Sequence, residues 1–328
     1  MDYENYEMEY EKLKYLDKKI SRIVLGTMIV NLEEREKSFS LLDNAFDLGC
    51  NTLDTAHVYG GGDSERLIGE WMQERDNREE MVIISKGAHP NADRKKVTPF
   101  DISADLHDSL ARLQTDYIDI YLLHRDDPSV AVGPIMERLN KHLEEGKIKA
   151  YGGSNWGYER IRKANKYAEE NELVPMVASS PHFSLAEQVA NPWGPGCVSL
   201  TGSDKKKARE WYQDNQMPIF AYSSLSRGFF SGKITTDNYS DIKDSIDAVC
   251  KKAYWSQDNL ERLRRVEIIS EEKGYTVPQI ALSYVLNKNL NVFPLVGAAS
   301  LKEIKENIQA LNINLTSEEL AWLNLEEK

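Results

Sequence analysis

Apolar residues recur along this chain in two alternating rhythms. Short continuous apolar runs, the pattern of strands buried on both faces, alternate with longer stretches in which apolar residues return every three or four positions. "ISRIVLG" (20–26) leads into "EEREKSFSLLDNAFDLG" (33–49), whose helical spacing ends on glycine. "NTLDTA" precedes "SERLIGEWMQE", and "EMVIISKG" precedes "TPFDISADLHDSLARLQ", where Thr98 is an N-cap candidate with Pro99 at the first helical position. "YIDIYLLHR" pairs with "VGPIMERLNKHLEEGK", "IKAYGGSN" with "YERIRKANKYAEEN", and "VPMVASSP" with "KKKAREWYQDNQ". "MPIFAYSSL" and "NVFPLVGAA" are the last strands, the latter followed by "LKEIKENIQAL". Eight such alternations in 328 residues predict an α/β fold, a (β/α)8 TIM barrel forming a single domain over 1–328, with 1–19 as a leader and N-terminal hairpin. The competing topology is an open doubly wound sheet. Against it, no strand runs into GxGxxG at a helix start, and Gly60, Gly61 and Gly62 lack that spacing. Long loops follow the sixth strand (183–204, "FSLAEQVANPWGPGCVSLTGSD") and the seventh (Ser226 to about Asp258), and loops of that size usually serve function.

Composition narrows the partners. No run approaches the roughly 20 apolar residues that span a bilayer, and the start "MDYENYEMEYEK" is acidic and aromatic, unlike a secretory signal. The expectation is a cytoplasmic protein with no membrane contact. Cys50, Cys197 and Cys250 are far apart and in no metal-ligand spacing, so they read as reduced thiols, and no metal site is expected. A formal charge of -12 disfavours nucleic acid, whose affinity rests on cations neutralising phosphates. A small molecule is the expected partner, and the sequence leaves the oligomeric state open.

In a parallel barrel the site lies at the C-terminal ends of the strands. Here those ends are polar: Asp54, Lys86, His124, Ser154 with Asn155, Ser179 with Ser180, and Tyr222 with Ser223 and Ser224. Singly, each has an ordinary structural reading: Asp54 as a turn cap, Lys86 snorkelling outward, His124 as a satisfied core histidine. Together they converge on one mouth. A tyrosine near a lysine that an aspartate keeps charged has its phenolate stabilised, and such a phenol can act as a general acid. No GxSxG elbow and no metal cluster competes, so the chemistry suits carbonyl reduction with hydride from a cofactor and a proton from the protein.

These residues resemble the aldo-keto reductase family, NAD(P)H-dependent barrel enzymes, over about Met8 to Leu325. "GCNTLDTAHVYGGGDSERLIGEW" is similar to the family signature, "IISKG" to its lysine strand and "DIYLLHRDDP" to its histidine strand. The resemblance implies a catalytic tetrad of Asp54, Tyr59, Lys86 and His124: Tyr59 as proton donor, its pKa lowered by Lys86 with Asp54, and His124 orienting the carbonyl. It implies cofactor contacts at Gly26 and Thr27, at Asp54, at Ser154 and Asn155 in "GGSNW", and at Tyr222, Ser223, Leu225 and Arg227 in "FAYSSLSRGFFSGK". Gly297, Ser300, Glu303 and Asn307 in "VGAASLKEIKENIQAL" match its adenosine segment.

The chain departs from the family pattern in three places. Ser180 stands where the family has glutamine, and Glu303 where many NADPH-dependent members have arginine, which leaves NADH as an alternative to NADPH. The 183–204 loop, with Trp193, has its own wording. Met28, His89, Arg125, Trp156 and Trp193, with Tyr59 and His124, are the candidate substrate walls, and a charged rim fits a polyhydroxylated or anionic carbonyl better than an aliphatic one. Pairing of Arg125 with Asp126 or Asp127 in a solvated loop is the plain alternative. The expected substrate is a small polar or sugar-like aldehyde or ketone. The competing functions are a barrel lyase with Lys86 as Schiff-base amine and a non-catalytic nucleotide sensor.

Overall fold

A computed structural model describes residues 7–326; Tyr3 and Tyr6 of the leader lie outside them. The first element is a hairpin in which β1 (Tyr10–Lys12) and β2 (Lys19–Ser21) pair antiparallel, Glu11 opposite Ile20. Leu13 and Leu16, in its turn, are buried with Ile20 against Val24, Val82, Ile84, Ile120, Leu122, Phe220 and Phe293. Those are inward side chains of the barrel, so the hairpin plugs its N-terminal end.

The run 20–26, read from sequence as one strand, is two: β2 stops at Ser21 and β3 (Val24–Gly26) begins the wall. Side chains cause the break. The Ser21 N–H donates to Asn51 and Thr52 side chains, while Arg22 bonds Asn291 and the Val292 carbonyl with its guanidinium 4.5 Å from the Phe293 ring.

Strict alternation follows: α1 (Arg35–Asp47), β4 (Thr52–Asp54), α2 (Asp63–Arg75), β5 (Val82–Gly87), α3 (Pro99–Leu113), β6 (Ile118–Leu123), α4 (Val132–Glu144), β7 (Ile148–Ser154), α5 (Tyr158–Glu170), β8 (Ala178–Ser180), α6 (Lys206–Asn215) and β9 (Ile219–Ala221). The second long loop then holds α7 (Ala248–Tyr254), and α8 (Gln257–Lys273) and α9 (Val277–Leu286) lead to β10 (Val292–Val296), α10 (Leu301–Gln309) and α11 (Ser317–Leu323). Thr98 caps α3, its hydroxyl accepting from the Asp101 N–H, with Pro99 at the first position. The strands from β3 to β10 pair in order, all parallel, and β10 closes on β3.

Strand alternation explains where the polar residues point. Val82 and Ile84 of β5 belong to the barrel interior, whereas Ile83 packs among the helices. Lys86 continues the inward row. By the same count of two, His124 follows Leu122, Ser180 follows Ala178 and Tyr222 follows Phe220, each of those apolar residues lying in the interior cluster. Six-residue β5 and β6 thus have hydrocarbon at their base and a polar side chain at or just beyond their tip.

Candidate active site

Lys86 lies at the centre of the mouth. Its ammonium has three protons and three acceptors: Asp54 Oδ2 at 2.7 Å, the Thr55 carbonyl at 2.8 Å and the Tyr59 hydroxyl at 3.2 Å. Lys86 and Asp54 are both almost fully buried, so neither charge would be tolerated without the other. Burial alone would lower the Lys86 pKa, but Asp54 and Tyr59 hold it above its ordinary value.

Tyr59 reaches this ammonium because of the turn that follows it. Gly60, Gly61 and Gly62 have φ of 57°, 65° and 101°, a left-handed run that suits glycine. A β-carbon on Gly62 would sit 2.6 Å from the Arg112 guanidinium. The Ser64 hydroxyl, bonded to both Thr27 and Thr55, ties the start of α2 to the ends of β3 and β4.

The expected lowering of the Tyr59 pKa does not occur. Burial pushes the phenol up, Lys86 pulls it down, Asp54 pushes it up again, and the balance lies above the ordinary value of 10.0. His124 moves the other way: burial, then the charges of Lys86 and Arg125, hold it well below 6.5, so it is neutral at neutral pH. Its ring meets Tyr59 edge-on at 6.0 Å and His89 at 4.9 Å. His124 Nδ1 is buried and has no partner among the described residues.

On the opposite wall, Ser154 Oγ donates to the Ser180 carbonyl at 3.1 Å. Asn155, with φ of 57°, donates to the His124 carbonyl at 3.3 Å, and its Oδ1 accepts from the Tyr222 hydroxyl at 2.9 Å and the Val198 N–H at 3.1 Å. Ser180 Oγ is buried and unpartnered among the described residues. A hydroxyl without a partner, beside Ser154 and Asn155, fits a carboxamide that would complete its bonding. Thr27 bonds the Asp54 carbonyl at 2.9 Å, with Gly26 beside Asp54 in the strand register.

Beyond Tyr222 the chain is strained: Ser223, Ser226 and Arg227 have φ of 55°, 53° and 58°. Leu225 is half-buried there. Arg227 pairs with Asp247 at 3.4 Å and lies 5.1 Å from the Trp193 ring, so it clasps one long loop to the other. Gly297, Ser300, Glu303 and Asn307 occupy the β10 to α10 connection and α10 itself. Ser300 caps α10 by accepting from the Glu303 N–H, and Glu303 Oε2 accepts from the Ala299 N–H at 2.8 Å. Gly297 has open space where a β-carbon would lie, and Asn307 is buried.

Among the expected substrate walls, Met28 and Trp193 are exposed on the rim and His89 is half-buried. Trp156 is corrected by the structure: it is fully buried under Gly153, and its Nε1 donates to the Arg125 carbonyl at 3.2 Å, so it supports Arg125 and lines nothing. Arg125 does not pair with Asp126, which bonds Arg160 at 3.1 Å. The Thr55 carbonyl escaped the sequence reading because a backbone acceptor leaves no residue-type signal. So did Val198, whose tie to Asn155 spans 43 residues.

A phenol held by an ammonium at the mouth of a parallel barrel, facing a set of amide and hydroxyl groups, suits carbonyl reduction in which a bound cofactor gives hydride and the protein the proton. A family profile described as Aldo/keto reductase family matches residues 22–324, and the chain belongs to that family. It is an NAD(P)H-dependent reductase. An aryl-alcohol dehydrogenase of Pestalotiopsis microspora is 29% identical over 87% of this chain and 71% of its own length. Norsolorinic acid reductase B of Dothistroma septosporum has the same figures, 29%, 87% and 71%. The oxidoreductase YrpG of Bacillus subtilis is 27% identical over 97% of this chain and 95% of its own. Among solved structures, a thermostable aldo-keto reductase, Tm1743, in complex with the inhibitor epalrestat, shares the fold with a TM-score of 0.71 at 23% identity, covering 97% of this chain and 99% of its own. No described helix is long and apolar enough to cross a membrane.

Proposed function

We propose that this protein reduces a small polar, sugar-like aldehyde or ketone to an alcohol in the cytoplasm, with Tyr59 as the proton donor and NADPH as the preferred cofactor, NADH being the alternative. The observation that carries this reading is the threefold bonding of Lys86. Because the Tyr59 oxygen accepts from the ammonium, its own proton is free to turn toward the mouth. A phenol above its ordinary pKa keeps that proton at neutral pH, and a fixed cation beside it stabilises phenolate as the proton leaves. Neutral His124, at the edge of Tyr59, would donate its one ring N–H to the same carbonyl oxygen without adding charge.

The cofactor, when bound, supplies hydride. Ser154, Asn155 and Ser180 would hold its carboxamide, the Tyr222 ring would flank the nicotinamide, and Gly26, Thr27, Leu225, Arg227, Gly297, Ser300, Glu303 and Asn307 would line the rest. The same ammonium argues against the lyase. A lysine with all three protons donated and its pKa held up by Asp54 is not the free amine that a Schiff base needs.

Steady-state rates over a panel of sugars, aromatic aldehydes and steroids with each cofactor test the reading. Preferred turnover of polar aldehydes supports it. A preference for apolar ketones removes the substrate class, and cofactor binding without turnover of any carbonyl favours a nucleotide sensor.

A further inference from the structure

The geometry points to Arg125 as the residue that pairs with an anionic group on the substrate, so that carbonyl compounds carrying a carboxylate or similar anion are the class this mouth takes. The inference rests on the reductase reading above. Arg125 directly follows His124, and its backbone is fixed by the buried Trp156, whose indole N–H donates to its carbonyl at 3.2 Å. Its guanidinium donates to the His124 carbonyl at 2.9 Å, and among the described residues it forms no ion pair with a carboxylate. The adjacent acids are engaged elsewhere. Asp126 pairs with Arg160 at 3.1 Å, and Asp127 with Lys95 at 3.1 Å and with Ser129.

Charge balance makes this cation count. Asp54 and Lys86 cancel, Tyr59 keeps its proton, and burial holds both His124 and His89 below their ordinary value and neutral. Arg125 leaves the mouth with a net positive charge in a chain of formal charge -12. Its field acts on Tyr59, His89, His124 and Tyr222, which lie in the segments following four different strands. Held 2.9 Å from the His124 carbonyl, the guanidinium lies next to the reacting centre. A planar guanidinium with unused donors matches a carboxylate in a way that a sugar hydroxyl does not. Met28 and Trp193 on the rim add apolar surface for the body of such a molecule.

The test uses a matched pair, 4-carboxybenzaldehyde and its methyl ester, with the full-length protein and NADPH or NADH. The expected result is a kcat/KM for the acid at least about tenfold above that of the ester, with the gain in KM. In Arg125→Gln the acid-to-ester ratio falls to near one, and Arg125→Lys restores part of it. Equal rates for acid and ester in the unaltered protein overturn the proposal. So does an Arg125→Gln variant that keeps the ratio and raises KM for NADPH, since the cation would then serve a cofactor phosphate. If neither aldehyde is turned over, the carbonyl panel above decides the reductase reading, and benzoate binding followed by tryptophan fluorescence decides the anion site. Tighter binding to the unaltered protein than to Arg125→Gln upholds it, and equal binding overturns it.

Discussion

On the side of the mouth formed by β4, β5 and β6, Asp54, Lys86 and His124 stand on or directly after regular strands, and Asp54 and Lys86 bond each other directly. On the side formed by β7, β8 and β9, Asn155, Ser223 and Arg227 sit in left-handed backbone, and Asn155 and Tyr222 bond each other. The first side fixes a proton and the charge that governs it, and rigid strands do that with short reach. On the proposed reading the second side docks the cofactor, and there the polar groups lie largely in the left-handed turns that follow the strands and are tied by the Asn155–Tyr222 pair. On that reading the proton is governed by a direct side-chain ion pair between neighbouring strands, and the cofactor by bonds made across the loops that follow them.

The largest effect that can break this comparison is Tyr59→Phe. Loss of the hydroxyl should lower the reduction rate by about a thousandfold or more while cofactor affinity, measured by tryptophan quenching, changes little. Retained turnover would remove Tyr59 as the acid. Lys86→Met comes next. It leaves Asp54 buried without its cation, and a loss of about 3–5 kcal/mol of stability is expected, less whatever protonation of Asp54 recovers. Thermal unfolding measures this. The double variant Asp54→Leu/Lys86→Met should regain most of the stability and none of the activity, which separates the pair's cost in folding from its use in chemistry.

On the other side Asn155→Ala removes the acceptor of both the Tyr222 hydroxyl and the Val198 N–H. The expected outcome is a KM for the cofactor raised about tenfold and faster proteolysis in 183–204, with kcat reduced less than KM is raised. If kcat collapses instead, the two sides are one unit and the contrast fails. The pH profile probes the first side alone. Tyr59 lies above 10 and is protonated below that value, and His124 lies well below 6.5 and is neutral above it. Reduction should therefore hold a plateau from about pH 7 to 9 and fall at higher pH. Oxidation of the alcohol, which needs the phenolate, should rise over the same alkaline range. A reduction rate that halves near pH 7 would show a phenol much more acidic than burial allows.

The first side was largely legible in the sequence. A count of two from each inward apolar residue leads to Lys86 and His124, and the glycines after Tyr59 mark a left-handed turn. The direction of the Tyr59 pKa was not legible, because the ammonium can be read from sequence but the dehydration around the phenol cannot. The break of the first strand at Arg22 depends on Asn291 and Phe293, about 270 positions away, which no local pattern reports. On the second side the polar strand ends Ser154, Asn155, Ser180 and Tyr222 were legible, but their cofactor roles came only through resemblance. Asn155 and Tyr222 are 67 residues apart, and nothing in either segment announces their bond. Trp156 misled for a related reason: an aromatic after a strand end suggests a pocket wall, whereas packing under Gly153 turned it into the support of Arg125.

The smallest effect concerns Glu303, on the cofactor side but outside the mouth. Its carboxylate closes the first turn of α10 by accepting from the Ala299 N–H, while Ser300 accepts from its own N–H. Glutamine can make the same reciprocal cap without the charge, so Glu303→Gln should leave thermal stability nearly unchanged. A negative charge at an exposed helix start interacts with a nearby phosphate only through screened solvent, on the order of a few tenths of a kcal/mol to 1 kcal/mol. The ratio of Kd values should then move two- to fivefold toward NADPH, with NADH little affected, and the shift should shrink at high salt. An unchanged ratio would mean that Glu303 is held by its cap too far from the cofactor to matter. A loss of NADH affinity instead would mean that its free oxygen accepts from a ribose hydroxyl, and the preference of the unaltered chain would then lie with NADH.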